Sequence, residues 1–426
     1  MAGNIEYDIF TNVTETTPVS FEAGELKQID KKIAYSSGCR VFIKGKMGFS
    51  STTDKDDDGL FERAKASAEF GKDITIDLPL PTEYPIIKQY FSKTADIKTE
   101  DMVEIGATIV KKINNGVKNP DIKISIDIRK TIDNYKLKNS KGIGASYKSS
   151  IISISFFITH SKEGDILWLF DEFSSYKIDE INIDDMVNKL IMRYEESQNT
   201  GELKTGKYPV IFTPVALPQF LFPLFPCING ENIEKGISVL KNKKGERIFD
   251  DRITIIDEQL DNKGVNSRPF DGEGLPSKAL TIVENGVLKS YIHTISTAGK
   301  LGDEPTSSAV RSGSSLPRPS TTNLHIIPGN NKINDMIKDI DKGAIVYFLS
   351  GVGQSNILAG EFQNGLYLGF IIENGKVKAR LKNVMLSGNL FEVMLDIGGI
   401  SKEVEFVFGN AYMPYILVNN MSLSGS

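Results

Sequence analysis

The sequence predicts an α+β protein. An N-terminal α/β region of mixed strands and amphipathic helices precedes a C-terminal β-rich domain of mainly antiparallel strands. Three observations predict it. Ile122, Ile124, Ile126 and Ile128 alternate with polar residues, the period of a half-buried strand. Between Thr99 and Gly116, apolar residues recur at helical spacing, with Thr99 as expected N-cap, Glu100 and Asp101 in the first turn and Gly116 at the far end. Two dipeptides, Asn285-Gly286 and Asn374-Gly375, each follow an apolar run and precede another, as in a hairpin closed by a type I′ turn.

Taken in order, the chain divides into three stretches. The first, an expected α/β domain over 1–95, has strand-like runs at 27–33 and 40–43, a turn at 44–48 and a helix at 57–70. Phe61, Ala64 and Ala68 fall on one face of that helix, spaced for docking on a sheet. The proline-rich run Leu78-Pro79-Leu80-Pro81-Thr82-Glu83-Tyr84-Pro85 ends this unit. The second, an expected central α/β domain over 97–200, opens with the helix at 99–116, whose buried stripe is Met102, Ile105, Ile109 and Ile113. Strands follow near 122–128, 151–159 and 165–170, then a helix at 184–196 with Val187, Leu190, Ile191 and Tyr194 inward, and a polar linker at 196–205. The third, over 207–426, is the β-rich domain, with glycine recurring between apolar runs at 343–375 as a twisted antiparallel sheet requires.

Composition narrows the function. Of 426 residues, 40% are apolar and 25% charged, ordinary values for a soluble globular chain. Lys+Arg 50 against Asp+Glu 55 gives a net charge of −5, with no concentrated basic face, so direct nucleic-acid binding is not expected. The longest apolar run, 215–228, is broken by Pro218, Pro223 and Pro226 and falls short of the ~20 residues that cross a bilayer, so no membrane partner is expected. The opening residues have neither the basic nor the apolar region of a secretory signal, which makes a cytoplasmic setting the expectation and the glycosylation patterns at Asn12 and Asn420 chance matches.

Catalytic signatures are absent from the sequence. Only His160, His293 and His325 are present, with no HExxH or HExxxH spacing to present two imidazoles to zinc. Each reads as a structural side chain: His160 at a strand end, His293 in an apolar segment, His325 within a strand. Cys39 and Cys227 are too few for a disulfide framework, lie among apolar residues and read as small buried hydrophobes. Gly201 to Lys207 has Walker-like glycine and lysine spacing, but Tyr208 replaces the Ser or Thr that holds magnesium. Gly142-Ile143-Gly144 and Gly351-Val352-Gly353 lack a third glycine and read as turns. Asp271 and Glu273, in Phe270-Asp271-Gly272-Glu273-Gly274, read as a structured turn, with an acid/base pair or calcium loop as the alternative.

The third stretch resembles the TldD/PmbA family, also called modulators of DNA gyrase. The resemblance is carried by Arg268-Pro269-Phe270-Asp271-Gly272-Glu273-Gly274-Leu275-Pro276, Val283-Glu284-Asn285-Gly286-Val287-Leu288-Lys289 and Leu301-Gly302. It continues through Pro317-Arg318-Pro319-Ser320, Gly360-Glu361-Phe362, Ile372-Glu373-Asn374-Gly375 and Ser387-Gly388-Asn389-Leu390. Gly38-Cys39-Arg40-Val41-Phe42 and Gly45 to Thr52 resemble the family's opening domain; the likeness is weakest over 75–200.

The resemblance implies one of two subunit types. One is a zinc peptidase with HExxxH on a helix and a later cysteine ligand; the other, of TldE/PmbA type, keeps the fold without the ligands and pairs with the first. Counting back from Gly236-Ile237-Ser238 places the metal helix near Leu221, Phe222 and Pro226, where this chain reads Leu-Phe-Pro-Leu-Phe-Pro. The ligand loop falls at 405–410, around Phe406, and reads Glu-Phe-Val-Phe-Gly-Asn. Neither has His or Cys, and shifting the register adds only Cys227. A proline in a helix interior costs ~3 kcal/mol, so the segment is not expected to keep the metal helix. The resemblance therefore implies no catalytic residue, no metal and no cofactor in this chain, a TldD-like zinc metallopeptidase as partner, and unfolded or small peptides as substrate. Phe220, Phe222, Phe225, Asp271 and Glu273 are the expected peptide or partner contacts. The alternatives are a stand-alone homodimeric peptide-binding or scaffold protein, and a peptidase with an unrecognised centre.

Overall fold

The computed structural model describes residues 5–74, 76–162 and 164–425. Strand outweighs helix, 43% against 20%, and the architecture is α+β. Strands Glu6–Glu22, Glu25–Ile29, Lys32–Ile43, Lys46–Thr52 and Lys72–Asp73 join Ile122–Asn139, Gly144–Lys162 and Asp165–Ser175 in one eight-stranded sheet. The tie is an antiparallel ladder between Glu6–Glu22 and Ile122–Asn139, running from Asp8 opposite Asn139 to Phe21 opposite Ile126. Stretches 1–95 and 97–200 thus share a continuous backbone hydrogen-bond ladder.

The alternating isoleucines do what their period demands: Ile124, Ile126 and Ile128 are buried on one face of the sheet. Helices Thr99–Gly116 and Ile183–Glu196 cover that face with Met102, Ile109 and Ile113 from one and Met186, Val187, Leu190 and Tyr194 from the other. Full burial of each such apolar side chain contributes ~1.5–3 kcal/mol. Thr99 is the first helical residue rather than the N-cap; Lys98 precedes it, and the Asp101 carboxylate accepts the Lys98 N–H at 3.3 Å. The helix expected over 57–70 begins at Leu60 and tightens into a 3₁₀ turn at Ala68–Phe70.

The second, twelve-stranded sheet holds the C-terminal strands. Ile211, Ile345, Leu368, Phe370 and Ile372 from it join the same apolar cluster as the two helices, which therefore lie between the sheets. Both Asn-Gly hairpins form, Leu280–Glu284 with Val287–Leu288 and Glu361–Glu373 with Lys376–Leu381. Asn285, Gly286, Asn374 and Gly375 all take the positive φ that a type I′ turn needs (48°, 76°, 50° and 70°). The expected polar linker at 196–205 is not free chain: Thr200–Gly201 pairs with Arg380 and Leu381, and Leu203 is buried. Its Walker-like glycines Gly201 and Gly206 stand in strands, not in a phosphate loop.

Candidate functional site

The segment where the resemblance places the metal helix is two short helices, Leu217–Phe220 and Leu224–Ile228, with Pro223 as the cap between them. Proline has no N–H to donate into a helical ladder, so the break falls where the sequence places it. Leu221 is buried in the C-terminal core, Pro226 is half-buried, and Phe222 stands at the surface with its ring against Gly353. Phe220 has no exposed surface; it stacks on Phe212 with ring centroids 3.9 Å apart and meets Phe362 edge-on. Phe220 is thus core and offers nothing to a peptide or partner, because its apolar ring is worth most out of water. Phe225 is half-buried against the same core, so of the three phenylalanines Phe222 is the most open.

The stretch where the resemblance places the second ligand region, 405–410, lies close by; its first residues, Phe406 included, end the strand Ile397–Val407 rather than forming a loop. Phe406 and Val215, the residue opening the run that leads into the two helices, line one cleft of about 170 Å³. Asp171, Glu172, Glu405, Lys189 and Arg193 share its walls. Burial raises the Asp171 and Glu172 carboxyls, and Arg193 opposes part of the Asp171 shift. Tyr415 donates to Glu405 Oε1 at 2.8 Å.

Zinc does not fit these residues. Among the described residues, no three His, Cys, Asp or Glu side chains converge to hold a metal ion. Cys227, the one thiol near the segment, is buried, points its Sγ at the carbonyl oxygens of Ile357 and Leu358 and has its pKa pushed up to about 11 by burial. No histidine and no second cysteine stands beside it in this segment to complete a ligand set. The histidines are committed elsewhere. His160, near the end of the strand Gly144–Lys162, contacts Asn119 and Tyr194. His293 contacts Thr297 and lies 3.3 Å from Asp303; His325 meets Asp261 at 2.9 Å.

Asp271 and Glu273 do form a structured turn, and both are buried. Asp271 Oδ1 accepts from the N–H groups of Glu273 and Leu275, and Oδ2 from Ala309. Glu273 Oε2 accepts from Ile295 N, which opens the helix Ile295–Leu301, while Oε1 accepts from Arg40 Nη1 at 2.8 Å. As expected contacts for a peptide or partner, both are corrected: they are 1% exposed and their acceptors are spent inside the chain.

They belong to a buried charge network that sequence reasoning did not assemble. Arg40 also donates from Nε and Nη2 to Asp8, and Arg311 Nη1 donates to Asp8 Oδ1 at 3.0 Å. Burial raises the Asp8 carboxyl, but Arg311 and Arg40 outweigh it and hold it below its ordinary value. The network bolts the first sheet, through Asp8 and Arg40, to the C-terminal unit. Beside it the backbones touch: a Cβ on Gly38 would lie 2.2 Å from Gly313 O. A lone arginine inside the apolar run Cys39-Arg40-Val41-Phe42 was the available sequence signal, since an arginine seldom enters a core unpaired.

A two-sheet α+β fold with no converging set of metal ligands among the described residues is the class that these features define. The C-terminal domain of PmbA/TldA metallopeptidases matches residues 205–425, and domain 1 of the same proteins matches 7–69. The chain belongs to the PmbA/TldD family. It is 27% identical over 393 residues to an uncharacterised protein of Methanocaldococcus jannaschii, covering 91% of this chain and 87% of that one. A metalloprotease of the same organism is 22% identical over 411 residues, covering 94% and 91%. TldE from Thermococcus kodakarensis shares the fold, with a TM-score of 0.90, 22% identity and coverage of 99% and 97%. No helix among the described residues is long and apolar enough to cross a membrane.

Proposed function

We propose that this chain is the non-catalytic, TldE/PmbA-like subunit of a peptide-degrading complex. Its partner is a TldD-like zinc metallopeptidase that supplies the metal, and the complex degrades or processes unfolded or small peptides in the cytoplasm. The observation that carries this reading is the donor set. Zinc needs about three protein ligands; the segment has one cysteine and no histidine, and among the described residues no three His, Cys, Asp or Glu side chains converge. The fold it shares with TldE of Thermococcus kodakarensis supports the same reading. Phe222, exposed beside the two short helices, and the cleft at Phe406 are the surfaces this reading assigns to partner or peptide.

Co-expression with a TldD-like chain tests it. The expected result is a joint peak on a sizing column, zinc at one per partner chain and none on this chain alone, and peptide cleavage that needs both. If the chain elutes alone and the partner cleaves equally well without it, the proposal fails.

A further inference from the structure

Where the first sheet faces the loops of the C-terminal unit, the two enclose a cavity of about 370 Å³. It lies apart from the Phe406 cleft and shares no lining residue with it. Its walls combine aromatic surface from Phe10, Tyr147 and Phe270 with the guanidinium groups of Arg268 and Arg311. Tyr147 meets Phe270 edge-on at 5.2 Å between centroids, and the Arg311 guanidinium lies 4.9 Å from the centre of the Phe10 ring. The lining is at least as polar as it is apolar, which suits a small polar ligand held by a few placed groups rather than a purely apolar one.

The polar groups are not satisfied. Arg268 and Arg311 each keep Nε and Nη2 buried with no hydrogen-bond partner, and Thr322 Oγ1, also in the lining, is in the same condition. Five of the ten such atoms among the described residues thus belong to residues that line one cavity. Folded proteins rarely leave a buried donor unpaired, because its desolvation costs ~1–3 kcal/mol and more when it is charged.

The two arginines differ. Arg311, with its side chain 1% exposed, already pairs with Asp8. Arg268 makes no ion pair within 4.0 Å among the described residues; Asp257 and Asp271 feel its charge only from farther away, and two of its guanidinium nitrogens have no hydrogen-bond partner. A half-buried guanidinium with no carboxylate bonded to it can take an anion, and its planar fork matches the two oxygens of a carboxylate. We propose that the cavity binds a small carboxylate, a free amino acid or the C-terminal end of a short peptide, seated on Arg268 with further donors from Arg311.

Charge favours this over a phosphate. One negative charge balances Arg268, whereas a dianion would also face Asp133 and Asp271 in the same walls. Burial raises both of those carboxyls, which eases a single charge in their company but not two. Exposed Asn266 stands in the lining and marks where a ligand enters. The site lies wholly within this chain and holds whether or not the chain pairs with a peptidase.

Calorimetric titration of the full chain with Ala-Ala, Ala-Ala amide, alanine and inorganic phosphate tests the proposal. Binding of Ala-Ala or alanine, at least tenfold weaker binding of the amide, and at least a tenfold loss in Arg268→Met with unchanged circular dichroism support it. Tighter binding of the dipeptide identifies a peptide end; tighter binding of alanine identifies a free amino acid. The proposal is overturned by no carboxylate binding at millimolar concentration, by phosphate binding as tightly, or by Arg268→Met binding like the parent. Should Arg268→Met not fold, the acid-against-amide comparison in the parent protein decides alone: equal binding overturns it.

Discussion

Replacing Arg40 by Met should separate the first sheet from the C-terminal unit energetically. Arg40 is 3% exposed and its guanidinium joins Asp8 on its own sheet to Glu273 across the boundary. Methionine keeps the length and apolar stem but removes every donor. Asp8 then retains Arg311, at 3.0 Å, while Glu273 retains only the Ile295 N–H, at 2.7 Å. Breaking a buried pair from one side costs ~3–5 kcal/mol, mostly the penalty of the charge left behind. The unfolding entropy near the melting temperature is ~2.1 cal/mol/K per residue, or about 0.9 kcal/mol/K for 426 residues, so the fall in Tm is about 3–6 °C. Urea unfolding followed by circular dichroism measures the free energy directly. The double variant Arg40→Met/Glu273→Gln should recover ~1–3 kcal/mol relative to the sum of the singles, because the stranded carboxylate has been neutralised. A loss under 1 kcal/mol for Arg40→Met, or strict additivity in the double variant, would refute the view that these charges are desolvated and coupled.

Other outcomes follow from single features. Burial pushes the Asp257 carboxyl up to about 6, above its unfolded value near 3.8, so the stability it contributes is complete below about pH 4 and is lost as pH rises through 6. Asp257→Asn should therefore lose, relative to the parent, about 2 kcal/mol less at pH 7.5 than at pH 4.5, read from paired urea curves. Cys39 and Cys227, both buried and pushed up to about 12 and about 11, should react with a thiol reagent only after unfolding, when two equivalents appear. Gly38→Ala should cost ~1–3 kcal/mol, since the added carbon meets a backbone carbonyl that cannot swing aside, and hydrogen exchange near Gly313 should quicken.

Much of the fold was legible where side chains report their own surroundings. The isoleucines at 122–128, the stripe of the helix Thr99–Gly116 and both Asn-Gly turns encode local geometry, and the structure follows them. The strand Glu6–Glu22 was not legible: its burial is irregular, and its many threonines and glutamates give no clean alternation, because a strand paired on both sides is held mainly by its ladder. For the same reason nothing local announced that it pairs with residues more than a hundred positions on. At the candidate site, the missing metal ligands were legible as simple absence of His and Cys. The burial of Phe220, Asp271 and Glu273 was not, since part of each enclosure comes from remote residues: Phe362, Ala309 and Arg40 respectively. Arg268 and Arg311 sit in polar surroundings along the chain, and only the meeting of the two units makes their charge conspicuous.

The strand Ala411–Ser424 pairs with four others: Gly206–Phe212, Leu324–Ile326, Met385–Asn389 and Ile397–Val407. It lies downstream of every other described strand, yet it is the hub of the twelve-stranded sheet. A ribosome must pass residue 424 before that sheet closes, so the nascent chain carries Gly206–Phe212 with an open flank through the synthesis of about two hundred further residues. Exposed backbone of that kind is what chaperones capture, and translation pauses upstream of 411 would lengthen the exposure.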